Sequence, residues 1–250
     1  MVRIYTLTLA PSLDSATITP QIYPEGKLRC TAPVFEPGGG GINVARAIAH
    51  LGGSATAIFP AGGATGEHLV SLLADENVPV ATVEAKDWTR QNLHVHVEAS
   101  GEQYRFVMPG EALSAALAIG NIELVKPNQK ELSALVNREL TQPDDVRKAA
   151  QEIVNSGKAK RVVVSLGPQG ALGVDSENCI QVVPPPVKSQ STVGAGDSMV
   201  GAMTLKLAEN ASLEEMVRFG VAAGSAATLN QGTRLCSHDD TQKMYAYLSR

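Results

Sequence analysis

QSTVGAGDSMVGAM, residues 190–203, sets a glycine-rich turn against a single carboxylate at the head of a run of small and apolar residues. Gly194, Ala195 and Gly196 leave the backbone nearly bare, so its N–H groups can approach a ligand closely. A helix opening at this point adds unpaired N–H groups and the positive end of its dipole, which suits an anion. Asp197 is electrostatically awkward inside such a cradle unless it acts as a base on a neighbouring hydroxyl. The alternative is that Asp197 is a helix N-cap and the glycines form a tight turn. Both readings stand on these residues alone.

The flanking segments decide the fold class. Upstream, KRVVVSLG (160–167) is a continuous β-branched run, expected for a strand covered on both faces. ALGVDS and CIQVVPPP read as a hairpin leading into the turn, and SMVGAMTLKLAEN and SLEEMVRFGVAAGSAATLN as two helices closing the chain. Towards the N-terminus, VRIYTLTLA (2–10) reads as a strand, RCTAPVFEPGGGG as an extended region and INVARAIAHLGG as a helix. TAIFPAGG is a short strand, and TGEHLVSLLADENV an amphipathic helix capped by Thr65. Alternation by two on both sides of Ser100-Gly101 predicts a hairpin. EALSAALAIG reads as a brief helix, IELVKPN as a strand and QKELSALVNREL as a helix, with a further helix running from Pro143 to Gly157. Strands alternating with helices predict one α/β domain over residues 1–250 with a mostly parallel sheet. Two segments, about 15–37 and 86–108, break the alternation and read as a small β lid.

Bulk properties exclude several function classes. The formal net charge of −4 offers no polyanion-binding surface, so nucleic acid is not expected as a partner. No uninterrupted apolar stretch approaches the ~18 residues of a bilayer span. The three cysteines are scattered and form no CxxC pair, which fits a reducing, cytoplasmic setting.

Other segments can carry chemistry. GGGGINVARA is a second glycine-rich strand-to-helix turn without GxGxxG spacing, and neither GKL (26–28) nor GKA (157–159) completes a P-loop. It reads as a loop where a polar ligand lies against Gly39, Gly40 and Gly41 with Asn43 supplying hydrogen bonds, or else as a flexible connector. In KPNQKE, Asn128 and Glu131 either face a phosphate or metal-bound water, or form a capping box. His94 and His96 share one face of the hairpin strand but have no third metal ligand in view. Arg90, Arg105, Lys27 and Arg29 place four cations on the lid, a pattern suited to phosphate recognition.

Taken in order, GGGGINVARAIAHLGG, KPNQKEL, SLGPQGA and STVGAGDSMVGAM resemble the ribokinase-like (PfkB-type) sugar kinases along the whole chain. The serine of STVGAGDS is similar to the phosphosugar branch of that family. The resemblance implies a three-layer α/β/α sheet domain with a β lid, and an ATP-dependent glycolytic kinase taking fructose 6-phosphate to fructose 1,6-bisphosphate. Tagatose 6-phosphate and fructose 1-phosphate are alternative substrates, and a catalytically inactive nucleotide-binding protein is the alternative from another class. It further implies that Asp197 is the base and that the amides of Gly194, Ala195 and Gly196 form the anion hole. Asp14 would bind sugar hydroxyls with Gly39, Gly40, Gly41 and Asn43, and Arg90, Arg105, Lys27 and Arg29 would meet the substrate phosphate. Lys126 and Asn128 would face the nucleotide, with Glu131 holding Mg²⁺ through water. Ser165, Gly167, Gly170, Val221 and Ser225 would line the nucleotide pocket. Backbone oxygens near Ser191, Val193, Ala227, Asn230, Gly232 and Arg234 would hold a monovalent cation, K⁺. The lid would make a homodimer.

One feature departs from the family pattern. Between Gly110 and the KPN strand stands only EALSAALAIGNIEL, where the family places two further helix-and-strand units, roughly 60 residues by the size of such units. The join after Gly110 reads as an internal deletion.

Overall fold

The computed structural model of the chain describes residues 3–108, 122–230 and 234–249. The backbone divides into two compact units, Met1–Ala112 with Gln231–Arg234, and Leu113–Asn230 with Leu235–Arg250.

In the first unit, β1 (Ile4–Leu7), β4 (Ala55–Ala61) and β5 (Val80–Glu84) form a parallel sheet in the order β1-β4-β5. Helix α1 (Gly40–His50) packs on β1 and β4, and α2 (Gly63–Asp75) on β4. Ile42, Ala45 and Ile48 of α1 and Ala55, Ala57 and Phe59 of β4 are buried. A second, four-stranded sheet has the order β3-β2-β6-β7, from β2 (Ser12–Thr19), β3 (Val34–Gly38), β6 (Arg90–Val97) and β7 (Gln103–Phe106). The expected hairpin is β6–β7, turning at Gly101 with φ +70°. The expected 2–10 strand is shorter than read and is followed by β2, most of which falls in the segment about 15–37 expected to form the lid. Ser12, Ser15, Thr17 and Thr19 are buried here, with Ser15 Oγ donating to the Asn92 carbonyl and Thr17 Oγ1 to that of Thr31.

In the second unit, β8 (Val162–Ser165), β9 (Ala171–Val174) and β10 (Cys179–Val182) pair antiparallel. IELVKPN runs parallel beside β8 through the bridges Ile122–Ala159, Val125–Val162 and Asn128–Ser165, without a continuous strand. Val162 and Val164 pack with Leu132 of α3 (Gln129–Leu135) and with Val146, Ala150 and Ile153 of α4 (Pro143–Asn155). Val163 points the other way, into a cluster with Met199 and Met203 of α5 (Ala195–Ala208) and Met216, Val217 and Val221 of α6 (Leu213–Thr228). This strand is covered on both faces, as its unbroken β-branched run predicts.

Two further expectations are corrected. Helix α2 is capped at Gly62, because Thr65 Oγ1 donates instead to the Thr89 carbonyl across the unit. A third closing helix, α7 (His238–Leu248), follows the two expected ones; Ser237 caps it by accepting from the Asp240 amide. The brief helix expected for EALSAALAIG lies outside the described residues.

Candidate functional site

The opening turn is resolved at its cap. Gly194 is the N-cap of α5 with φ +76°, a left-handed conformation that favours glycine, and its carbonyl accepts from the Ser198 amide at 2.8 Å. Asp197 is therefore not the cap but lies in the first turn, partly buried. The amides of Ala195 and Gly196 head the helix, where the chain itself offers no i−4 carbonyl. Lys126 reaches the same place: a Cβ on Gly196 would stand 3.4 Å from its Nζ. That ammonium also lies 3.4 Å from Ser165 Oγ at the end of β8. A glycine at 196 thus leaves room for a cation beside a helix N-terminus, with an acid one residue on.

Helix α6 fixes the position of this cradle. A Cβ on Gly224 would lie 3.3 Å from the Ala195 carbonyl, and one on Gly220 would lie 2.6 Å from Met203 Cγ. The two glycines, one helical turn apart, let α6 approach α5 closely and hold its N-terminus in place. Ser225 Oγ donates to the Val221 carbonyl, and both residues are buried within α6. Near the cradle, Gly167 and Gly170 both have positive φ, and a Cβ on Gly170 would collide with the Val182 carbonyl oxygen.

Asn128 and Glu131 form a full capping box at α3. Asn128 Oδ1 accepts from the Glu131 amide at 2.9 Å, and Glu131 Oε2 from the Asn128 amide at 2.7 Å. The box commits one carboxylate oxygen to the helix end. The segment before the cradle meets the end of α6, since the amides of Gln190 and Ser191 both point at the Thr228 carbonyl, at 2.8 and 3.4 Å. Ser191, Val193, Ala227 and Asn230 are thereby gathered in one region; Gly232 lies outside the described residues, and Arg234 belongs to the first unit. Among the described residues no cluster of His, Cys, Asp and Glu has the makings of a metal site.

In the first unit, Asp14 stands on β2 opposite Glu36 of β3, facing the glycine turn. A Cβ on Gly38 would come within 2.5 Å of the Asp14 carboxyl carbon. Gly39 is the N-cap of α1 with φ +116°, and Thr8 Oγ1 accepts from the Ile42 amide at 2.9 Å. Arg46, 4% exposed, ties the turn down by donating to the Pro37 carbonyl at 3.0 Å and to Asn43 Oδ1 at 3.4 Å. Its other donors meet Glu76 Oε2 at 2.8 Å and Oε1 at 2.6 Å, while His50 stands 3.4 Å from the same carboxylate. Burial raises the Glu76 pKa, but the bonds from His50 and Arg46 outweigh it and hold the carboxyl down at about 2. Burial pushes Glu36 up.

Asn92, 6% exposed, connects this site to the lid. Its Nδ2 donates to Asp14 Oδ1 at 2.8 Å, and its Oδ1 accepts from the Met108 amide at 3.0 Å. His94 Nε2 lies 3.9 Å from Asp14 Oδ2; burial lowers the His94 pKa against the pull of that carboxylate. Sequence reasoning named His94 and missed Asn92, although the same alternation puts both on one face. It also missed Arg46 and Glu76, which are 30 residues apart and carry no local signal. Arg90 donates to the carbonyls of Pro11 at 3.4 Å, Ala10 at 3.0 Å and Met108 at 2.6 Å, so it binds backbone here. Arg105 sits opposite His94 on β7, and Lys27 and Arg29 are exposed in the segment before β3.

The ATP-dependent 6-phosphofructokinase isozyme 2 of Escherichia coli (strain K12) is 81% identical over 309 aligned positions, covering 100% of both chains. Since 81% of 309 is about the 250 residues of this chain, the mismatch is accounted for by about 59 positions with no counterpart here. The isozyme 2 of Mycobacterium tuberculosis (strain H37Rv) is 36% identical over 302 positions, covering 97% of this chain and 89% of the other. Two crystal structures of the E. coli phosphofructokinase-2 match over 100% of both chains at 80% identity. One is in complex with substrates and products (TM-score 0.95), the other with potassium (TM-score 0.97). The profile of the pfkB family carbohydrate kinases matches in two pieces, residues 7–119 and 111–240, which meet where the sequence suggests a deletion. With both glycine turns and the acid of α5 inside those pieces, the chain belongs to the pfkB family of carbohydrate kinases.

Proposed function

We propose that the chain is an ATP-dependent phosphotransferase acting on a phosphosugar, fructose 6-phosphate being converted to fructose 1,6-bisphosphate. The observation that carries this reading is the N-terminus of α5, where the Lys126 ammonium stands beside Gly196 and Asp197 follows in the first turn. The identity to 6-phosphofructokinase isozyme 2 over the whole chain supports the sugar.

In this reading Asp197 accepts the proton of the attacking sugar hydroxyl. The amides of Gly194, Ala195 and Gly196, with Lys126, stabilise charge on the transferred phosphoryl group. Such preorganised donors are worth ~3 kcal/mol each in a transition state. Asn128, Ser165, Gly167, Gly170, Val221 and Ser225 serve the nucleotide. Asp14, oriented by Asn92, and Asn43, tied down by Arg46, take the sugar hydroxyls beside Gly39, Gly40 and Gly41. Arg105, Lys27 and Arg29 offer cations to the substrate phosphate, joined by Arg90 if it exchanges its backbone partners. Mg²⁺, held through water by the remaining oxygen of Glu131, would neutralise phosphate charge. The backbone region of Ser191, Val193, Ala227 and Asn230 suits a K⁺ ion because its donors are carbonyls. The exposed apolar residues of the lid sheet, Ile18, Val34, Leu93, Tyr104 and Phe106, favour a homodimer through that lid. Among the described residues no helix is long and apolar enough to cross a membrane, and a cytoplasmic place fits a glycolytic kinase.

A second reading rests on the absent 59 or so positions: a chain that binds nucleotide through its second unit but turns sugar over slowly. A coupled ADP-release assay with fructose 6-phosphate, tagatose 6-phosphate and fructose 1-phosphate separates the two. Sugar-dependent ADP release, highest in kcat/KM for fructose 6-phosphate, supports the first; calorimetric ATP binding without such release supports the second.

A further inference from the structure

The two units treat their sheets differently. In the second, both faces of β8 are covered, by α3 and α4 on one side and α5 and α6 on the other. In the first, α1 packs on β1 and β4 and α2 on β4, burying Ala55, Ala57 and Phe59 on one face of the sheet β1-β4-β5. The register puts Leu7 beside Ile58 and Ala81, and Pro60 beside Val83, on the opposite face. On that face Tyr5 is 57% exposed, Leu7 55% and Val83 62%. Parallel sheets are stable when covered on both faces, and among the described residues β1 also ends its sheet.

What belongs on this surface can be read from the join. Arg90 binds the carbonyls of Ala10 and Met108 with one guanidinium, so the chain arriving at the join lies against the chain leaving β1. The family profile breaks within residues 111–119, and about 59 positions of the E. coli relative have no counterpart here. A β-strand with its crossover helix takes roughly 30 residues, so that length holds two such units. We propose that the edge of β1 and the bare face around Tyr5, Leu7 and Val83 are a docking surface for an α/β segment supplied by a second polypeptide. The occupant is a chain carrying the segment that the relatives have between their matched pieces, adding a strand beside β1 and a helix over the face.

The probe is the intervening segment of the E. coli relative, fused to a soluble carrier and labelled with a fluorophore. Anisotropy should show saturable binding to the full chain, and hydrogen exchange should slow at residues 4–7, 55–61 and 80–84. Leu7→Lys should weaken binding roughly tenfold, from the apolar area lost. Exchange on the unaltered chain keeps the test valid if that variant misfolds. Absence of binding, protection confined to other segments, or masking of the face by self-association of the chain alone would overturn the proposal. Neither readout depends on turnover, so the kinase reading can fail or hold independently.

Discussion

Replacing Glu76 by glutamine should destabilise the first unit by an amount that depends on pH in a defined way. The carboxyl is held at about 2 against an ordinary 4.5, a displacement of about 2.5 pH units. At about 1.36 kcal/mol per unit, the ionised form contributes roughly 3 kcal/mol to folding at neutral pH. Its side chain is 26% exposed and its partner Arg46 only 5%, so solvent screening removes little of this. Glutamine keeps the size but loses the charge and one acceptor, leaving a buried guanidinium underpaired. Because the folded pKa is depressed, the contribution is complete above pH 4.5 and is lost as pH falls towards 2. At pH 3 about 1.4 kcal/mol of it is left. Urea unfolding of both chains, followed at the single tryptophan Trp88 of the first unit, measures the difference directly. The gap should be about 3 kcal/mol at pH 7 and narrow to about half of that or less at pH 3. A gap under ~1 kcal/mol at pH 7, or one that does not narrow on acidification, would refute the ion-pair reasoning.

Asp197→Asn should lower turnover ~10²- to 10⁴-fold with nucleotide affinity kept, and a variant retaining most of its kcat would remove Asp197 as the base. Lys126→Met takes the cation from the head of α5 and should raise the KM for ATP and lower kcat together; an unchanged KM would argue that the ammonium serves only Ser165. Gly220→Ala drives a Cβ to within 2.6 Å of Met203 Cγ, so it should cost ~1–3 kcal/mol in a chemical melt of the second unit, and a neutral result would mean α5 and α6 separate freely.

The parts that were legible in the sequence carry their physics locally. The β8 run shows its two-sided burial in consecutive valines, and the cradle announces itself because the φ of +76° at 194, next to a helix start, favours glycine. Asn128 and Glu131 could be read as a capping box because both bonds span three residues. Strand β2 lies mostly in the expected lid segment, but its bounds were not legible because Ser15, Thr17 and Thr19 point inward, and the Ser15 and Thr17 hydroxyls find acceptors only in β6 and the Thr31 segment. Helix α7 was hidden in a polar stretch, His238–Leu248, whose one buried residue is Thr241. Arg46–Glu76 and Asn92–Asp14 are tertiary pairs, invisible to any periodicity.

The bare sheet face shows why local pattern and global fold can disagree in this chain. Tyr5, Leu7 and Val83 fit strands buried on both sides, and nothing in their own segments signals that the covering layer is absent. Only the spacing between Gly110 and the KPN strand does, since 250 residues stand against 309 aligned positions of the E. coli relative. The second unit, with the cradle, Lys126 and the α5–α6 packing, keeps both faces of its sheet covered. The bare face around Tyr5, Leu7 and Val83 lies in the first unit, which also carries Asp14 and the glycine turn. Loss of the segment should therefore weaken sugar handling before nucleotide binding, and supplying it in trans should strengthen the first without changing the second.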